Sequence, residues 1–230
     1  MEQPVEIDYF SDVLCIWAYV SERRVEELVD QFGDKVAIRL RVCSVFPDAL
    51  TKLQTRWASK GGLDGYADHV HEVAEAYPHI KLNKDVWRTV RPTSSAGAHL
   101  LLKALQLESG AKAVPGSDYL KAPATRFAAA LRHAFFAEAR DISDCTVLSE
   151  ILIEQSLDPA LVTSSTQLLN AASALSQDLD DASARGVSGS PTFLMNHDRQ
   201  RLFGNVGYKL LEANVEELLE ARTPQNFSWC

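Results

Sequence analysis

Cys15 is the residue of this 230-residue chain best placed to act as a nucleophile. It lies in the stretch Ser11-Asp12-Val13-Leu14-Cys15-Ile16-Trp17-Ala18-Tyr19. An apolar run from Val5 to Phe10 precedes that stretch. A segment in which Val25, Leu28, Val29 and Phe32 recur at i, i+3, i+4 and i+7 follows it. The thiol therefore stands where a strand hands over to a helix, at or just before the first helical turn. Unpaired amide groups and the positive end of the helix dipole favour a thiolate there, and the thiolate is the attacking species. The competing reading is a small buried hydrophobe, because free cysteine is among the most buried residue types.

The remaining reactive side chains are less well placed. Cys43 closes the second strand. It is the best candidate to resolve an adduct on Cys15, although a core role is the commoner fate of such a residue. Cys145 falls in a helical region and reads as packed. Cys230 ends a tail that, from Pro224, spans at most about 25 Å at ~3.3–3.6 Å per residue, so it reaches the site only if extended. The four cysteines form no CxxC pair, and His69, His71, His79, His99, His133 and His197 offer no zinc-ligand spacing. Trp17 reads as a shield over the thiol. Tyr19 either donates to the site or belongs to the core.

The elements that would position Cys15 follow from periodicity. Val5 to Phe10 is the first strand, and a helix from about Tyr19 to Phe32 ends at Gly33, a left-handed cap. Val36 to Val42 alternates, with Ile38, Leu40 and Val42 on one face and Arg39 and Arg41 on the other. This predicts a βαβ unit with a right-handed crossover. From Phe46 to about Leu168 no strand is expected. Helices are expected over Ala67–Tyr77, from a Ser94 or Ser95 cap to Gln106, and over Tyr119–Ala139, Thr146–Gln155 and Leu161–Ala184. Gly186 to Met195 returns to β structure: a glycine-punctuated loop leads through Pro191 into a short strand. Arg201 to Phe203 pairs with that strand as a hairpin, and Gly207 to Ala221 is a closing helix. The expected organisation is a split α/β domain, residues 1–46 and 169–230, around an all-helical insertion, 47–168.

Composition narrows the function classes. A hydrophobic fraction of 46% and a charged fraction of 23% are those of a globular chain. A net charge of −8 and a pI near 5.3 argue against a nucleic-acid partner and against an anionic membrane surface. The start Met1-Glu2-Gln3-Pro4 shows no secretory pattern, which points to the cytoplasm, where thiols stay reduced.

The order β-α-β, helical insert, α-β-β-α, with a Cys after the first strand and a proline opening the third, resembles the thioredoxin superfamily. The insert narrows this to the DsbA-like branch, which includes 2-hydroxychromene-2-carboxylate isomerases and kappa-class glutathione transferases. The match is carried by Asp8 to Tyr19, Gly186 to Phe193, Arg91 to Ala96 with His99, and Ala134 to Ile142. It is most similar to the FrnE-like group, whose active-site stretch reads as a CPWC-Y type sequence. Here the stretch is Cys15-Ile16-Trp17-Ala18-Tyr19: the second cysteine is Ala18, which cannot resolve a mixed disulfide.

The resemblance implies a thioredoxin-like fold in which Pro191 is a cis-proline facing Cys15. The Ser190 N–H and C=O would then be left to pair with an extended peptide or with glutathione; a plain strand-entry proline is the alternative. It also implies that Asn205, after Phe203-Gly204, binds the γ-glutamyl end of glutathione, although Val206 lacks the second polar group. The expected substrate-binding set is Trp17, Ala18, Tyr19, Ser190, Pro191 and Asn205 around catalytic Cys15. Three functions remain open. The first is a thiol–disulfide oxidoreductase using one cysteine, with glutathione as co-substrate and no tightly bound cofactor or metal. The second is a glutathione-dependent transferase or isomerase. The third is a non-catalytic peptide-binding or chaperone-like module. Expected partners are small thiols or disulfides and protein disulfides, and the resemblance allows a homodimer.

Overall fold

The computed structural model describes residues 3–110 and 112–220. Strand β1 (Val5–Ser11) leads into helix α1 (Ile16–Phe32) and strand β2 (Val36–Val42). Three helices follow: α2 (Ala49–Arg56), α3 (Gly62–Ala76) and α4 (Ala96–Glu108). A two-residue strand β3 (Val114–Pro115), a single helical turn α5 (Gly116–Tyr119) and helix α6 (Pro123–Arg132) come next, and α6 runs into a wider π-type turn (His133–Ala137). Helices α7 (Cys145–Glu154) and α8 (Ser165–Ala184) complete the helical middle. Strands β4 (Thr192–Met195) and β5 (Gln200–Phe203) and helix α9 (Tyr208–Glu220) close the described chain.

The strands form one mixed sheet in the order β3-β2-β1-β4-β5. β1 and β2 are parallel, with Tyr9 opposite Leu40, and β4 runs antiparallel to β1, with Phe193 opposite Tyr9. The even period of a strand puts Ile7, Tyr9, Leu40 and Phe193 on one face, and the Tyr9 and Phe193 rings stack at 4.7 Å. On the other face Phe10, Cys43 and Leu194 pack with Ala182 of α8. Arg39 and Arg41, expected on the polar face, meet carboxylates there. Arg39 pairs with Asp8 at 3.2 Å, and Arg41 with Asp178 of α8 at 3.1 Å. Asp178 also pairs with buried Lys103 of α4 at 2.9 Å, joining the helical middle to the sheet.

Several expectations need correction. β3 joins the sheet from within the region expected to lack strands, and two residues are too few to show alternation. Its approach depends on Gly116, where a Cβ would sit 2.2 Å from the Gly33 carbonyl oxygen. The helix expected over Tyr119–Ala139 breaks before Pro123, which takes the first position of α6. Helix α2 was not expected. Its cap is Asp48, whose carboxylate accepts from the Thr51 amide at 3.1 Å. Ser94 accepts from the Ala96 amide at 3.0 Å, whereas Ser95 spends its hydroxyl on Asp12. The domain boundary expected at 168/169 falls inside α8. No helix among the described residues is long and apolar enough to cross a membrane.

Candidate active site

The site is built on the turn between β1 and α1, and buried Asp12 organises it. One Asp12 carboxylate oxygen accepts from the Leu14 amide at 2.9 Å. The other accepts from the amides of Val45 and Phe46 at 2.8 and 3.0 Å and from the Ser95 hydroxyl at 2.9 Å. One carboxylate thus ties the turn to the segment after β2 and to the start of α4. Charge-assisted bonds of this kind offset the cost of burying the charge. His99 lies beneath, and its Nε2 accepts from the Val13 amide at 3.4 Å. Burial pushes the imidazole down from its ordinary value, which suits an acceptor nitrogen.

Cys15 is the N-cap residue of α1, with extended backbone, and its amide donates to the Asp12 carbonyl at 3.1 Å. Opposite it stands Ser190 from the loop before β4. The Ser190–Pro191 peptide bond is cis. The Ser190 hydroxyl accepts from the Asp12 amide at 3.0 Å, and the Ser190 carbonyl accepts from the Cys15 thiol at 3.2 Å. The carbonyl expected to be open to a ligand already accepts from the Cys15 thiol.

The charge state of Cys15 also differs from the expectation. Burial is the largest influence and pushes the thiol up from its ordinary value. The Ser190 side chain and the amides of Ala18 and Trp17 pull it back, and the Asp12 carboxylate pushes it further up. The helix-terminal amides act in the expected direction, but desolvation outweighs them at 6% exposure.

A cleft of about 300 Å³ opens over Cys15. Trp17 and Ser190 line it. Its other walls are Phe46, Trp57 from the end of α2, and Tyr66 and His69 from α3. The Trp57 ring lies 5.2 Å from both Tyr66 and His69. Two cations of α2, Lys52 and Arg56, one helical turn apart, also line the cleft. The Lys52 ammonium bonds the Val45 carbonyl and sits 5.1 Å from the Phe46 ring centre. Burial, and then Arg56, lower its pKa. Phe203, 57% exposed, stands at the mouth.

The other expected residues do not line this cleft. Ala18 and Pro191 are buried behind its wall. Tyr19 turns away and stacks on Phe136 at 5.0 Å. Asn205 is exposed, accepts from Arg24 at 2.6 Å and donates to the Tyr77 hydroxyl. The Phe203-Gly204-Asn205 step puts the aromatic ring, rather than the amide, at the cleft. Tyr77 in turn meets Trp17 edge-on at 6.0 Å, so Asn205 touches the cleft wall only through Tyr77. Cys43 is buried among Phe10, Ala182 and Leu194 and does not line the cleft; burial pushes its thiol well up, Asp12 and Cys15 push it further, and a contact with the Ser190 side chain pulls it back. Cys145 is exposed at the start of α7, and Cys230 lies outside the described residues.

Sequence reasoning missed Lys52, Arg56, Trp57, Tyr66 and His69. Part of the signal was present: Asp48 and Thr51 at cap spacing, Ala49 and Leu53 at i, i+4, and Lys52 and Arg56 at i, i+4 announce an amphipathic helix with one basic edge. Nothing local announces that this edge faces Cys15.

Residues 6–216 match the family of DSBA-like thioredoxin domains. Among solved structures the fold is similar to a probable DsbA oxidoreductase from Streptomyces coelicolor, with 20% identity and a TM-score of 0.72 over 97% of this chain and 93% of that one. It is also similar to the cytosolic disulfide reductase DsbM from Pseudomonas aeruginosa with GSH, with 18% identity and a TM-score of 0.64 over 94% and 99%. A 2-hydroxychromene-2-carboxylate isomerase follows, with 16% identity and a TM-score of 0.63 over 96% and 100%. At these identities the likeness concerns the fold. A comparison with curated protein sequences gave no significant match.

Proposed function

This chain belongs to the family of DSBA-like thioredoxin domains, and from that premise we propose that it is a thiol–disulfide oxidoreductase that turns over through Cys15 alone, with glutathione as the second thiol. The observation that carries this reading is the cysteine inventory of the cleft. Cys15 lines it, Ala18 holds the position where a second thiol would resolve an adduct, and Cys43, although its thiol reaches the Ser190 side chain, is buried and does not line the cleft.

The cycle has two exchanges. In the first, Cys15 loses its proton to solvent and leaves the Ser190 carbonyl, and the thiolate attacks one sulfur of a bound disulfide. The Cys15–substrate S–S bond forms, the substrate S–S bond breaks, and the leaving sulfur departs as a thiolate. In the second, a glutathione thiolate attacks the substrate sulfur of the adduct and releases Cys15 as a thiolate. Glutathione is left in a disulfide with that sulfur, and no net electron is gained or lost by the protein. Lys52 and Arg56 suit a substrate carrying carboxylates, as glutathione does, and the aromatic walls suit its apolar partner. The DsbM structure with GSH, a neighbour in fold, is consistent with that choice.

One observation favours a second reading. A neutral thiol that donates a hydrogen bond can orient the sulfur of bound glutathione without attacking anything. That is the behaviour expected of a glutathione-dependent transferase or isomerase. Mass spectrometry of the native chain after exposure to oxidised glutathione separates the two. The oxidoreductase gains one glutathionyl group on Cys15, reduced glutathione removes it, and Cys15→Ser gains none. Glutathione binding without an adduct supports the second reading and rejects the first.

A further inference from the structure

A second recess lies elsewhere in the molecule and shares no lining residue with the Cys15 cleft. Its inner part is a cavity of about 50 Å³ between α1, α6 and the sheet face that carries Tyr9 and Leu40. That space exceeds the ~10–15 Å³ needed to seat one water. Its walls are mostly apolar: Val25, Leu40, Leu120 and Ala128. Two polar groups at its lining have no partner. The Tyr9 hydroxyl and the Arg132 Nε are buried without a hydrogen bond, in side chains each 3% exposed. Both can donate. Buried polar groups are rarely left unpaired, so the two donors suit an acceptor oxygen placed in the cavity. The cavity adjoins an open groove of about 560 Å³, and Glu22, Thr125 and Ala129 line both spaces.

We propose that this recess is a binding site for a small amphiphilic carboxylic acid, whose carboxylate enters the cavity to accept from Tyr9 and Arg132 while its apolar tail lies in the outer groove. The ligand arrives as an anion beside a carboxylate already in place: the Arg132 guanidinium donates to Glu22 at 2.8 Å and to the Ser11 hydroxyl at 2.9 Å. Two carboxylates on one buried guanidinium repel, so binding takes up a proton on Glu22 and hands the charge of Arg132 to the ligand. Glu22 is suited to this exchange. Its side chain is 22% exposed, and burial pushes its pKa up to about 7 against the pull of Arg132.

Charged and polar groups from several elements surround Glu22. Arg132 and Arg126 face it from α6, Tyr9 from β1 and Tyr119 from α5. Tyr19 and Glu26 share its own helix. His133 and Glu138 of the π-type turn and Glu154 of α7 border the outer groove. Arg126 is held by the Gln155 carbonyl at 2.8 Å, and Glu138 and Glu154 are each paired with Arg140. Arg132 and the neighbouring Glu26 are the charges that act on Glu22.

Calorimetric titration of the full chain with hexanoate at pH 6 and pH 8, in two buffers of different ionisation enthalpy, tests the proposal. Hexanoate binds about tenfold more tightly at pH 6, as expected when the competent state is the one with Glu22 protonated, and takes up close to one proton at pH 8. Glu22→Gln binds equally at both pH values without proton uptake, and Tyr9→Phe weakens binding about fivefold. Cys15→Ser binds as the parent does. Near-UV circular dichroism confirms that each variant is folded, and the pH dependence of the unmodified chain stands without any variant. Absence of saturable hexanoate binding at pH 6, equal affinity at the two pH values, or loss of binding in Cys15→Ser overturns the proposal. None of these results bears on whether Cys15 exchanges disulfides.

Discussion

The Cys15 thiol donates to the Ser190 carbonyl at 3.2 Å across 175 residues of chain. The contact places the nucleophile and the loop before β4 in one hydrogen-bonded unit, and Asp12 completes it by donating its amide to the Ser190 hydroxyl. It also gives the thiol a reason to keep its proton. A carbonyl accepts from S–H and gains nothing from a thiolate. Reaction at Cys15 begins with the loss of this bond.

The pH dependence follows from the sign of that shift. Burial raises the Cys15 pKa, so the rate of alkylation by iodoacetamide should rise with pH and report an apparent value above the ~8.5 of free cysteine. The fold favours the neutral thiol. Its contribution to stability is therefore complete below about 8.5, the unfolded value, and is lost as pH rises through the folded one. Urea midpoints at pH 7 and pH 9.5 should fall further apart in the parent than in Cys15→Ala. An apparent pKa below that of free cysteine would contradict the burial argument.

Ala18→Cys should recreate a dithiol at the start of α1. Ala18 is fully buried, so the added sulfur costs about 1–3 kcal/mol in the reduced form. Its amide already donates to the Cys15 carbonyl at 3.1 Å, which holds the two residues one helical turn apart. Oxidised glutathione should leave the variant with an internal disulfide and no retained glutathionyl group, where the parent retains one. Thiol titration together with intact mass reads the difference.

Lys52→Gln tests what the basic edge of α2 contributes. Reaction of Cys15 with oxidised glutathione, which is anionic, should slow about three- to fivefold. Reaction with neutral hydroxyethyl disulfide should change little. Equal slowing with both disulfides would assign Lys52 to cleft shape rather than to charge.

Asp12→Asn should be among the most damaging single substitutions outside the apolar core. An amide offers one acceptor oxygen in place of two and turns donors toward the Val45 and Phe46 amides. The expected loss is about 2–4 kcal/mol in urea unfolding. In the folded variant the Cys15 pKa should drop relative to the parent, because the Asp12 charge is one of the influences that raise it. A stability within error of the parent would remove Asp12 from the centre of the site.

The parts of the molecule that were legible in advance are those with local signatures. The alternation of Ile38, Leu40 and Val42 against Arg39 and Arg41, the helical spacing from Val25 to Phe32 with Gly33 after it, and the apolar residues after Pro191 each specify an element within a few turns of chain. They placed Cys15 at a strand-to-helix junction and Ser190 beside a proline before a short hairpin. What the sequence did not disclose depends on which surfaces meet. Val114 and Pro115 become a strand because β2 presents an open edge, and Lys52, Tyr66 and His69 join the site because α2 and α3 fold over Cys15. Asn205 misses the site because Gly204 turns Phe203 toward it. The protonation state of Cys15 belongs to the same class. The sequence by itself determined that a thiol caps a helix, where the amides favour its anion. Only the tertiary structure decided how much water remains around that sulfur, and desolvation, which no local pattern encodes, outweighs the helix.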